Sequence, residues 1–182
     1  MADTTHRLHS VERRILALVV VALVSVSPAI CSTGVEAQQT LTMPRVRSEN
    51  PLLSTTIRQG AERSPTFRRL IEAINATDGL VYVLEGKCGE GVRACLHSSL
   101  ELSGPNRLLR IVVSRRRAPG CELIASVGHE LQHALEVLSN PNIRTGFGLS
   151  SFFQRIGPEG NPRRFETTEA IQVGLAVAKE AC

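Results

Sequence analysis

The sequence predicts an α+β fold in which a small antiparallel sheet packs against helices. Three observations carry this expectation. Residues 80–86 (LVYVLEG) and 108–114 (LLRIVVS) are rich in β-branched and apolar side chains, and the turn signal Ser103-Gly104-Pro105-Asn106 lies between them. Residues 121–138 read as one unbroken helix, stopped by Asn140-Pro141. A further helical stretch begins at Asn161-Pro162 and runs to Cys182. The length of 182 residues suits one ordinary domain, and 42% hydrophobic with 21% charged residues is the balance of a globular chain.

The elements follow in chain order. Arg7, Arg13 and Arg14 precede an almost wholly apolar run, residues 15–30 (ILALVVVALVSVSPAI). A positive stretch before an apolar core too short for a comfortable membrane span reads as a signal peptide. Small residues in Val35-Glu36-Ala37 place cleavage after Ala37, so residues 1–37 are the expected leader. The product is then periplasmic or secreted, with no membrane attachment. Residues 38–63 are polar and interrupted by Pro44, Pro51 and Gly60, and read as an N-terminal arm with a helical turn or two around 51–59.

The domain proper is expected over 64–182. Ser64-Pro65 supplies a capping hydroxyl and a proline at the first helical position. Phe67, Leu70, Ile71 and Ile74 form that helix's apolar stripe, and Asp78-Gly79 ends it. Three strands are expected, at 80–86, 94–102 and 108–114. Cys88 and Cys95 flank the first connection and would close it as a local disulfide. Ala118-Pro119-Gly120 leads into the 121–138 helix. A loop rich in Gly, Ser and Asn follows, with a short helix at 150–156.

Composition excludes some functions. The formal charge is +4, but the arginines are scattered apart from Arg115, Arg116 and Arg117, which reads as a solvated surface. Aromatics are 3% with no Trp, which argues against nucleic-acid binding through stacked bases. Asp occurs only as Asp3 and Asp78, and His only as His6, His9, His97, His129 and His133. Removal of the leader takes away Asp3, His6, His9 and Cys31. The exported chain then carries Cys88, Cys95, Cys121 and Cys182, an even set that suggests two disulfides with three possible connectivities.

The specific motif is His129-Glu130-Leu131-Gln132-His133. Two histidines at i and i+4 share one helix face, from which both imidazoles reach a single Zn²⁺. Glu130 stands beside them, where it can act as general base toward zinc-activated water. On a helical wheel Ile124, Val127, Leu131, Leu135 and Leu138 form one apolar stripe. His129 and His133 fall on the opposite side, as ligands lining a cleft would.

A catalytic zinc ordinarily has three protein ligands. The metzincin pattern would need Gly at 136 and His at 139, and this chain has Glu136 and Ser139. His97 lies on an expected strand and Asp78 at a helix end. A downstream glutamate is left, and residues 165–174 offer Glu166 and Glu169. The wheel puts Thr168, Glu169, Gln172, Lys179 and Glu180 in one polar sector. Glu166 aligns instead with Ala170, Val173 and Val177. A carboxylate on an apolar face is costly unless paired or metal-bound, which favours Glu166, with Glu169, other glutamates and His97 as alternatives.

These residues resemble the zincin metallopeptidases of gluzincin type, in which HExxH on one helix is completed by Glu from a later one. The resemblance covers residues 64–182 and implies a zincin-like minimal domain, with the sheet packed on the HExxH helix and on a C-terminal ligand helix. It implies a zinc-dependent enzyme hydrolysing peptide bonds, with His129, His133 and Glu166 as ligands and Glu130 as base. The alternative is a non-catalytic secreted zinc-binding or recognition module on the same fold. The family often places an Asp four residues after the ligand Glu, as a partner for a histidine. Ala170 stands there in this chain. Tyr82 and His97 are the scarce candidates for an oxyanion donor. Cys121 opens the motif helix and Cys182 ends the last one. If these helices run antiparallel the two meet, so the expected pairing is Cys88–Cys95 with Cys121–Cys182.

Overall fold

A computed structural model of the chain describes residues 44–115, 120–157 and 166–182. The expected leader, the Arg116–Arg117 pair, the Ala118-Pro119 helix approach and the Asn161-Pro162 helix start lie outside these residues. Among the described residues, no helix is long and apolar enough to cross a membrane.

Among the described residues the architecture is α+β, with five helices and a small mixed sheet. Strand β1 (Val46–Arg47) leads into helices α1 (Pro51–Arg63) and α2 (Pro65–Asn75). Strands β2 (Gly79–Glu85), β3 (Ala94–Leu96), β4 (Glu101–Ser103) and β5 (Asn106–Val113) follow. Helices α3 (Cys121–Leu138), α4 (Gly146–Ile156) and α5 (Thr168–Ala181) complete the fold.

The sheet corrects the expectation of an antiparallel one. β5 is central: it pairs parallel with β2 and antiparallel with both β3 and β4, while β1 adds a parallel edge to β2. Two chain reversals explain this. The first follows β2, and β3 and β4 then run back along the far side of β5. The second is the tight turn at Gly104-Pro105, where Gly104 takes the positive φ of 59° that the first central position of a type II′ turn requires. Two reversals return β5 to the direction of β2. The expected single strand at 94–102 is accordingly two short ones.

α1 is the second correction. The supposed arm holds a 13-residue helix, begun by Asn50, whose side chain accepts from the Leu52 and Leu53 amides, with Pro51 at the first helical position. Leu53 and Ile57 enter the core, and Gly60 lies where a Cβ would come within 2.9 Å of the Phe67 ring.

Both long strands alternate buried and half-buried residues, so one sheet face carries Val81, Val83, Leu109, Ile111 and Val113 into the core. α3 packs on that face, with α1 and α2 beside it, and α5 lies along α3. Two disulfides pin the frame. Cys88–Cys95 closes the first connection, and Cys121–Cys182 joins the start of α3 to the end of α5.

One buried cation fixes the far end of α3. Arg107 on β5 is 1% exposed and donates to the Val137, Leu138, Asn140 and Ile143 carbonyls. It also pairs with Asp78 through Nε and Nη2. The Val137 and Asn140 carbonyls also accept the Asn140 and Ile143 amides, and Arg107 adds the Leu138 carbonyl of the last helical turn, which the helix itself does not pair. Asp78, the one Asp of the expected exported chain, is therefore a structural partner.

Candidate metal centre

The site is built on the face of α3 that looks toward β3 and α5. His129 and His133, one turn apart, have ring centroids 4.8 Å apart and stand nearly perpendicular. His133 is buried and meets the Phe153 ring of α4 edge-on at 5.2 Å. Glu130 is also buried, and its Oε2 accepts the Leu96 amide of β3 at 2.7 Å. Burial pushes the Glu130 carboxyl up to about 7, against the opposing pull of His133 and the Leu96 amide.

Glu166 brings its Oε2 to 3.5 Å from His129 Nε2. One donor atom from each of His129, His133 and Glu166 lies within 4.8 Å of the others. A tetrahedral ion with bonds of about 2.0–2.1 Å has donor–donor edges of roughly 3.3–3.4 Å. The His129–Glu166 separation of 3.5 Å is close to that edge, and all three donors lie within 4.8 Å of one another. Two imidazoles and one carboxylate thus fit a divalent cation.

The ring environments suit this use. Burial and then the neighbouring His133 push His129 below its ordinary value, so the ring is neutral near pH 7. α5 borders the His129 ring. On the same side, a Cβ added to Gly174 would lie 3.3 Å from His129 Nδ1. His133 Nδ1 sits 3.0 Å from Glu136 Oε2, and Glu136 Oε1 accepts the Thr167 hydroxyl at 2.7 Å. Burial raises Glu136, but the His133 ring and the Thr167 hydroxyl outweigh it and hold the carboxyl below its usual range.

These groups open into a cleft of about 660 Å³, lined by His129, Glu130, His133 and Glu166. One wall is the edge of β3, and the other is α5 with Ile171 and Leu175. The Cys88–Cys95 bridge also borders it.

The structure thus brings together four of the residues singled out in the sequence. It corrects how Glu166 arrives. Thr167 is the N-cap of α5, its hydroxyl accepting the Ala170 amide, so Glu166 stands just before the helix and not on its apolar face. Glu169 is exposed, as the polar sector requires. Glu180 does not simply face water: its carboxylate accepts from Ser64 and Thr66 at the start of α2. Neither oxyanion candidate lines the cleft. His97 is exposed and bonded to Ser99, and Tyr82 lies under the Arg47 guanidinium. Sequence reasoning passed over Glu136 and Thr167. Their only signal was a glutamate three residues after the second histidine, and a threonine next to Glu166.

No protein-family model matches the chain, and neither a curated protein nor a solved structure matches it at significant similarity.

Proposed function

We propose that the protein is an exported zinc-dependent hydrolase of peptide bonds, zincin-like in its site. The observation that carries this reading is the convergence of His129, His133 and Glu166 beside the buried Glu130 in one open cleft. Two disulfides suit an oxidising compartment.

His129 and His133 offer imidazole nitrogens, and Glu166 offers a carboxylate oxygen. Zinc bound there supplies Lewis-acid polarisation of a carbonyl and acidifies a water. Glu130 moves the proton. Its Oε2 is held by the Leu96 amide, so Oε1 takes the proton from water and passes it to the departing amine. The peptide itself lies along β3. In the antiparallel pairing with β5, the bonds at His97 and Arg93 leave the backbone groups of Ala94 and the Leu96 carbonyl turned outward for a partner, the Leu96 amide being taken by Glu130. An extended chain adds to that edge by main-chain hydrogen bonds.

A second reading is a zinc-binding recognition module without chemistry. The observation favouring it is that His97 and Tyr82 both lie off the cleft, so neither supplies an oxyanion donor. One experiment separates the two. Wild type and Glu130→Gln are incubated with a peptide library after zinc loading. Hydrolysis by wild type and its loss in Glu130→Gln, with zinc retained, supports the enzyme. Zinc uptake without turnover on any peptide supports the module.

A further inference from the structure

We infer that Glu136 is the positioning residue of this centre, setting the His133 tautomer and anchoring the segment that carries Glu166. The inference rests on the zinc reading above. A carboxylate at this position is expensive unless it is paired, because its side chain is only 13% exposed. Both oxygens are engaged. Oε2 faces His133 Nδ1 at 3.0 Å, and Oε1 accepts from Thr167 at 2.7 Å, with Gln132 Nε2 at 3.4 Å.

The first consequence concerns the ring. An ionised carboxylate can only accept, so Nδ1 of His133 must carry the proton. The lone pair then resides on Nε2, the nitrogen left for a metal. The second consequence concerns Glu166. Thr167 has one hydroxyl proton, which goes to Glu136, while its oxygen accepts the Ala170 amide. That hydroxyl caps α5, and Glu166 is the preceding residue. One carboxylate on α3 therefore sets the second histidine directly, and holds in place the segment that supplies Glu166.

The test has a readout independent of turnover. Long-range ¹H–¹⁵N NMR on the metal-free protein, with His133 assigned by its loss in His133→Ala, reports the ring tautomer. Wild type should show Nδ1–H. Glu136→Ala should lose that preference, and Glu136→Gln should keep part of it. Zinc affinity, measured against a competing chelator, should fall about 10–100-fold in Glu136→Ala and less in Glu136→Gln. Thr167→Val should also weaken zinc, and the double variant Glu136→Ala/Thr167→Val should weaken it by less than the two single effects combined, because both break the same Thr167–Glu136 bond. Melting in chelator controls for folding. If Glu136→Ala keeps the Nδ1–H tautomer and wild-type affinity while His133→Ala abolishes binding, the positioning role is wrong and the zinc reading stands. A wild type that takes up no zinc overturns the zinc reading, and this role with it.

Discussion

The two disulfides are chemically alike, yet their removal should cost different amounts. Cys121–Cys182 spans 61 positions of sequence and Cys88–Cys95 spans 7. The entropy withheld from the unfolded chain grows with the logarithm of the closed loop. At 25 °C the relation gives about 4.3 kcal/mol for the long loop and about 2.5 kcal/mol for the short one. Cys88, Cys95 and Cys121 are half-buried and Cys182 is exposed, so differences in lost packing are minor beside the loop term. The long bridge also fixes α5 against α3, and α5 begins beside Glu166. The assay is urea unfolding of the double variants Cys121→Ala/Cys182→Ala and Cys88→Ala/Cys95→Ala. Chelator is present throughout, because a ligand bound only to the folded state would add its own stabilisation. The long-loop variant should lose more stability, by about 1.8 kcal/mol on the same relation, with an unchanged urea slope. Equal losses, or a greater loss on opening Cys88–Cys95, would refute the reasoning.

Three further outcomes follow from the same structure. Arg107→Met strips a buried guanidinium from Asp78 and from four carbonyls at the end of α3, and urea unfolding should show a loss of about 3–5 kcal/mol. Asp78 gives a pH signature. The Arg107 bond holds its carboxyl below the ordinary range, against the opposing effect of burial. Its stabilisation is therefore complete above the unfolded value of about 3.9 and drains as pH falls through the lower folded value. Melting temperatures of wild type and Asp78→Asn should differ at pH 6 and converge as pH drops below about 4. In Gly174→Ala the new Cβ would lie 3.3 Å from His129 Cβ and Nδ1, so the ring must shift by a few tenths of an ångström. Zinc affinity measured by chelator competition should fall, while melting in chelator stays near wild type because alanine favours the helix.

What could be seen in the sequence was what depends on local pattern. Helix α3 runs over the same residues, 121–138, that its periodicity and the Asn140-Pro141 stop define. The Cys121–Cys182 pair was legible because antiparallel helices bring those ends together. Sheet direction was not, since it depends on which strand β5 inserts beside, a long-range choice that no alternation of residues encodes. α1 was hidden by Pro51 and Gly60, normally breakers. Here Pro51 opens the helix, and Gly60 lets the Phe67 ring approach. Glu166 was singled out by a wheel that assumed a helix, although Thr167 caps that helix one residue later. The carboxylate still reaches His129 from the extended lead-in. Glu136 was illegible for a plainer reason. A glutamate three residues after a histidine is ordinary on any helix, and only Thr167, 31 positions away, makes it part of a network.

As proposed above, His129, His133 and Glu166 hold one zinc ion. Metal content after equilibration with zinc and gel filtration tests it directly, on wild type beside His133→Ala, Glu166→Ala and Glu169→Ala. About one zinc per chain is expected in wild type and in Glu169→Ala, with loss in the other two. No zinc in wild type, or zinc kept by Glu166→Ala and lost from Glu169→Ala, would contradict it.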